Sequence, residues 1–116
     1  MRFLSIFTHE PINRPPTQQE METMGKLIEE GMKEGWLIAT EGVLSNLAGF
    51  RMHKAAGGPV TIIDGPFAET KEVIGGYALL KAKDKQEVIE LTKRFLNVVA
   101  QGTCEVHQLY EMPAQQ

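Results

Sequence analysis

The residues of this chain with chemistry to offer are three histidines, one cysteine and a dense run of charges past its midpoint. The run is IDGPFAETKE, residues 63–72. An apolar VTII ends abruptly in Asp64-Gly65-Pro66, followed by Phe67 and the polar AETKE. Two readings compete. As a turn, Asp64 accepts hydrogen bonds from nearby backbone amides, Gly65 permits a positive φ and Pro66 presets the bend. Phe67 then tucks into the core. As a site, Asp64, Glu69, Lys71 and Glu72 stand near a pocket between sheet and hairpin. Carboxylates and an ammonium there suit a small polar ligand, with Arg51 and Glu41 as further ligand-binding candidates. Such charges are costly to bury unpaired, so pairing within the loop is expected, and a purely structural loop would show the same pairing.

An imidazole beside a carboxylate is the usual acid–base pair near neutral pH. His9 adjoins Glu10 in a proline-rich stretch and reads as an exposed loop residue. His53 shares the basic face of a hairpin arm with Arg51, and His107 falls in the last strand. Asp64, His53 and His107 are the candidates for catalysis, although a lone strand histidine is more often solvated or hydrogen-bonded. Metal binding and cofactors are not expected, because the chain has no HxxxH, no CxxC and no calcium-loop ladder. Cys104 has no cationic neighbour and reads as a small core residue. Gly57-Gly58-Pro59 lacks the Lys-Ser/Thr and the helix start of a phosphate loop.

Regular elements must position these groups. RFLSIFT, residues 2–8, reads as a strand with Phe3 and Phe7 on one face and Leu4 and Ile6 on the other, which predicts that both faces are covered. HEPINRPP is a loop, since its prolines forbid regular pairing. Thr17 and Glu20 make a capping box, and Met21, Met24, Ile28 and Met32 recur at helical spacing up to Gly35, which predicts a helix over 18–34. WLIAT, 36–40, is a second strand. A hairpin follows, with arms 49–54 and 60–63, in which Phe50 and Met52 alternate with Arg51 and His53. A strand over 74–82 comes next. Asp84 then caps a second helix, with Glu87 completing the box and Val88, Leu91, Phe95 and Val99 as its buried stripe, ending at Gly102. The last strand covers 104–111.

The order is strand–helix–strand, inserted hairpin, strand–helix–strand. That is an α+β, ferredoxin-like split βαβ with an antiparallel sheet and two helices on one face. The free face predicts a second subunit packed sheet to sheet in a two-fold homodimer, with a ligand-lined open face as the competing explanation. A length of 116 residues suits a single domain over 1–116. With 42% hydrophobic and 23% charged residues, disorder and fibrous structure are excluded. A net charge of −3 without a basic patch argues against nucleic acid as a partner. The apolar run at the N-terminus is too short for a signal peptide, and no stretch reaches the ~20 apolar residues that span a bilayer. With one cysteine, a cytoplasmic location is expected.

The segment DGPFAETKEVIGGYALL resembles the signature of the DGPF branch of the YCII-related family. The likeness extends through PPTQQEMETMGKLIEEGMKEGW, ATEGVL and EVIELTKRFL, almost end to end. The resemblance implies a ferredoxin-like, dimeric α/β-barrel-like subunit. It also brings in small ring-processing enzymes that look like muconolactone isomerases, for which a His–Asp pair at a cavity is proposed, with the histidine in the first helix. This chain departs from that pattern: Gln18–Glu34 contains no histidine. Asp64 matches the aspartate of the DGPF motif, and its partner would have to be His53 or His107. Members of the family are associated with extracytoplasmic-function sigma factors, which implies a regulatory role with a protein partner or small effector. The resulting expectation is a dimeric protein that binds a small polar molecule near the DGPF loop. The alternatives are an isomerase- or lyase-like enzyme on small acids or ring compounds, and a sigma-factor-linked regulatory module.

Overall fold

In the computed structural model, residues 1–11, 14–44, 49–64 and 72–111 are described. Four strands pair antiparallel in the order β2-β5-β1-β6: β1 Arg2–His9, β2 Leu37–Gly42, β5 Val73–Lys81 and β6 Thr103–Gln108. The two central strands, β1 and β5, come from different halves of the chain. Helices α1 (Gln18–Glu34) and α2 (Lys85–Leu96) connect β1 to β2 and β5 to β6 and share one face. This is the ferredoxin-like split βαβ arrangement, with a hairpin of β3 (Phe50–Lys54) and β4 (Val60–Asp64) inserted in its middle.

Alternation along β1 sorts its side chains. Phe3 and Ser5 are buried toward the helices, and Phe7 on the same side packs edge-on against Phe95 of α2, with ring centroids 5.0 Å apart. Leu4 and Ile6 face the other way, beside Leu79 and Tyr77 of β5, and these four stay only half-buried. The core is Phe3, Leu37, Leu80, Ala82, Val88 and Leu91, with Ile28, Trp36, Ala78 and Val106 packed against it. Arg94 ties the helix layer together: it pairs with Glu30 of α1 at 2.8 Å and lies 5.1 Å over the Trp36 ring.

The helix ends follow local chemistry. The Glu20 amide donates to the Thr17 hydroxyl at 3.1 Å, and the Thr17 amide donates back to the Glu20 carboxylate at 3.0 Å. Gly35, at φ 89°, takes the left-handed conformation that stops α1. At α2 the box is only half formed. Asp84 accepts the Glu87 amide at 2.8 Å, but the Glu87 carboxylate takes the amide of Lys83 rather than of Asp84. The helix stops at Leu96, so Val99 lies beyond it.

Two boundaries differ from the sequence reading in ways that matter. β1 runs on to His9, because Thr8 and His9 pair with Ile74 and Val73 across a bulge. His9 is therefore a half-buried strand residue and not part of an exposed loop. The hairpin forms a two-stranded sheet of its own. Phe50, Met52, Val60 and Ile62 on one of its faces are each more than half exposed. The radius of gyration is 16.7 Å, against about 13 Å for a compact chain of this length. The difference fits an arm that projects from the body.

Candidate functional site

A cavity of about 280 Å³ lies between the two helices and the sheet. The sheet side is Ser5, Phe7, Thr40 and Ala78; the helix side is Leu27 and Ile28 from α1 and Leu91 and Phe95 from α2. The wall is overwhelmingly apolar. Its hydroxyls are largely engaged: Thr40 donates to the Tyr77 carbonyl and Thr92 to the Val88 carbonyl, each at 2.8 Å. Cys104 also faces the space, and burial pushes its thiol pKa up from 9.0, with Ser5 offsetting part of the rise. It stays protonated near neutral pH and is not an activated nucleophile.

One end of the cavity reaches the exposed pair Glu41-Gly42 of β2 and Gly75-Gly76 of β5. The two adjacent glycines make room. A Cβ on Gly76 would stand 2.7 Å from the Glu41 carbonyl oxygen, so only glycine lets β2 approach this closely. Gly75 is the extra residue of the bulge opposite Phe7 and Thr8. A Cβ there would meet the His9 ring at 2.6 Å and the Phe7 ring at 3.0 Å. Phe7 and His9 in turn pack with centroids 5.4 Å apart and ring planes tilted by 33°. Beside them the Thr8 hydroxyl donates to the Glu72 carboxylate at 3.3 Å.

The residues singled out by sequence are dispersed. Glu41 borders the cavity, and Glu72 is near the same end through its bond to Thr8. Arg51 and His53 lie on the exposed β3 arm, opposite Ile63 and Thr61. Asp64 closes β4 opposite Phe50. Glu69 and Lys71, with the Gly65-Pro66-Phe67 turn, lie outside the described residues. His107 sits on β6 with Nε2 2.9 Å from the Glu105 carboxylate, both side chains at least 60% exposed. Among the described residues, no hairpin side chain lines the cavity. The cavity therefore lies on the helix side of the sheet, not between sheet and hairpin, because the hairpin pairs with itself and does not lie over the sheet. Sequence did not place His9 beside Gly75 and Phe7 at this end. The only signal was its odd-numbered place two residues after Phe7, on a strand longer than composition suggested.

A larger, more open groove of about 550 Å³ runs between α2 and β6, with Lys85 and Lys93 on its rim and Phe3, Val88 and Val106 beneath. Among the described residues, no three His, Cys, Asp or Glu side chains converge in a way that could hold a metal ion. No described helix is long and apolar enough to cross a membrane.

Comparison with known proteins agrees with this architecture. No curated protein sequence matches the chain. Among solved structures it is similar to 5-chloro-2-hydroxyhydroquinone dehydrochlorinase from Burkholderia phenoliruptrix AC1100, determined in complex with 2,5-dihydroxybenzoquinone. The TM-score is 0.51 and the identity 13%, over 97% of this chain and 96% of that one, a likeness of fold. The model of the YCII-related domain matches from residue 1 to residue 113, and the chain belongs to that family.

Proposed function

We propose that this protein binds a small ring compound in the cavity between the helices and the sheet. The observation that carries the reading is the cavity itself: about 280 Å³, with Phe7, Trp36 and Phe95 on its walls and its exposed polar border at the Glu41–Gly75 end. Ligand pockets are mostly apolar with a few placed polar groups, and those for drug-sized molecules start at ~300 Å³. A single substituted ring fits both criteria. The fold neighbour, a dehydrochlorinase seen with a dihydroxybenzoquinone, supports the choice of ring compounds.

The proposal keeps the ligand's polar end near Glu41 and Glu72. Arg51, Asp64, Glu69 and Lys71, on the hairpin and in the stretch after it, are sequence candidates outside the contact set proposed for this cavity. It also includes membership of the DGPF branch, a homodimer and a cytoplasmic location. The dimer is favoured by two apolar surfaces, the half-buried outer sheet face and the exposed hairpin face. Isomerase or lyase chemistry on the same compounds is the second reading, favoured by the enzyme among the fold neighbours. A sigma-factor-linked partner would have the exposed hairpin as its surface.

The test is a thermal-shift screen of hydroxylated rings, lactones, aliphatic carboxylates and nucleotides. A ligand at 100 times its dissociation constant adds ~2.7 kcal/mol of stability, a rise of roughly 10 °C for a domain of this size. Shifts confined to ring compounds are expected. Shifts only with carboxylates or nucleotides, or with none of the four classes, would count against the reading.

A further inference from the structure

We infer that His9 is the polar anchor of the cavity, and that its Nε2 selects ring compounds carrying a hydroxyl donor. The inference rests on the cavity being a ligand site. His9 Nδ1 lies 2.7 Å from the carbonyl oxygen of Glu10. A carbonyl only accepts, so Nδ1 carries the proton and the neutral ring keeps its lone pair on Nε2. The Glu10 peptide is itself braced from the chain before β6: Gln101 donates to its carbonyl at 3.3 Å and accepts from its amide at 3.4 Å. The ring is thus held in orientation and not only in place.

The second observation is where Nε2 sits. It would be 2.8 Å from a Cβ on Gly75, a cavity-bordering residue, and the ring packs at a 33° tilt against Phe7, which lines the same space. His9 follows Phe7 by two residues on β1 and so shares its side of the sheet, and the missing side chain of Gly75 in the facing bulge leaves room for the ring. Among the described residues, Nε2 has no hydrogen-bond partner. His9 is not itself on the cavity wall, but it stands behind Gly75 and Phe7, which are. A half-buried acceptor there with no partner among the described residues gains most from a ligand O–H. It gains nothing from an ether or a hydrocarbon of the same shape. A site that hydrogen-bonds a ligand hydroxyl discriminates against the analogue lacking it, because the protein group is then left unpaired.

The test compares 4-chlorophenol with 4-chloroanisole by calorimetric titration into the native protein, His9→Phe and Gly75→Ala. The two probes share ring and size, and only the first donates a hydrogen bond. The native protein is expected to bind the phenol about tenfold more tightly. His9→Phe keeps a flat ring against Phe7 and should bind the two probes alike, its retained anisole binding showing that it is folded. Gly75→Ala displaces the imidazole and should shrink the preference too. In imidazole nitrogen spectra, the phenol should move the His9 Nε2 signal and leave those of His53 and His107 in place. Equal affinity of the native protein for both probes would overturn the role of His9 and leave the cavity reading standing. Failure of the native protein to bind either probe would overturn both.

Discussion

Glu20 shows how much a single residue can carry on the surface of this protein. The Arg14 guanidinium, then the backbone and hydroxyl of Thr17, hold its carboxyl pKa down at about 2, from an ordinary 4.5. A depressed folded value means that the charged carboxylate stabilises the fold above about 4.5 and that this contribution fades as the pH falls toward about 2. The melting temperature of the native protein should therefore drop more steeply across that window than that of Glu20→Gln. The difference should narrow in high salt, since the pair is exposed. Parallel melting curves would contradict the assignment. Glu20 and its cap were legible in sequence because every partner lies within six residues. His9 was not. What makes it a strand residue is Val73, and what leaves room for its ring is the glycine of the bulge at Gly75. Both lie more than sixty residues away, and no local pattern announces them.

At the scale of elements, α1 offers a paired test of packing against propensity. Gly25 and Gly31 both lie inside the helix, where alanine is ordinarily better by ~0.5–1 kcal/mol. A Cβ on Gly25 meets nothing within 4 Å. A Cβ on Gly31 would press on the Trp36 ring at 2.8 Å and on Leu37 at 2.9 Å, where α1 closes over β2. Gly25→Ala should therefore stabilise the protein by ~0.5–1 kcal/mol. Gly31→Ala should destabilise it by ~1–2 kcal/mol despite the same propensity gain. Urea denaturation of the two variants checks the opposite signs. Helix periodicity revealed α1 almost to the residue, yet it could not separate these two glycines. Their difference arises from the chain beyond the helix end. The hairpin was readable for the same reason as α1: its alternation and its Gly-rich turn are local. What it packs against is not a local property.

For the whole molecule, the succession of strands and helices, the helix face and the antiparallel sheet followed from the pattern of apolar residues, because each element has one surface that must leave water. The side of the sheet on which a void would remain did not follow. A cavity is what packing fails to fill, and it depends on glycines, bulges and helix ends acting together. The projecting hairpin makes its own prediction. Met52 and Ile62 face the same way, directly paired, and are 55% and 63% exposed. If that face meets a second copy, the native protein should sediment as a dimer. A Met52→Lys, Ile62→Lys variant should then sediment as a monomer with its fold intact by circular dichroism. Identical sedimentation of the two would remove the hairpin from the interface. The measurement that bears most directly on the central claim is methyl-group NMR of the native protein titrated with 4-chlorophenol. The account predicts shifts at Leu27, Ile28, Leu80 and Leu91 on the cavity wall, with Val60, Ile62 and Ile63 of the hairpin unmoved. Shifts confined to the hairpin and the outer sheet face, with the cavity methyls silent, would contradict it.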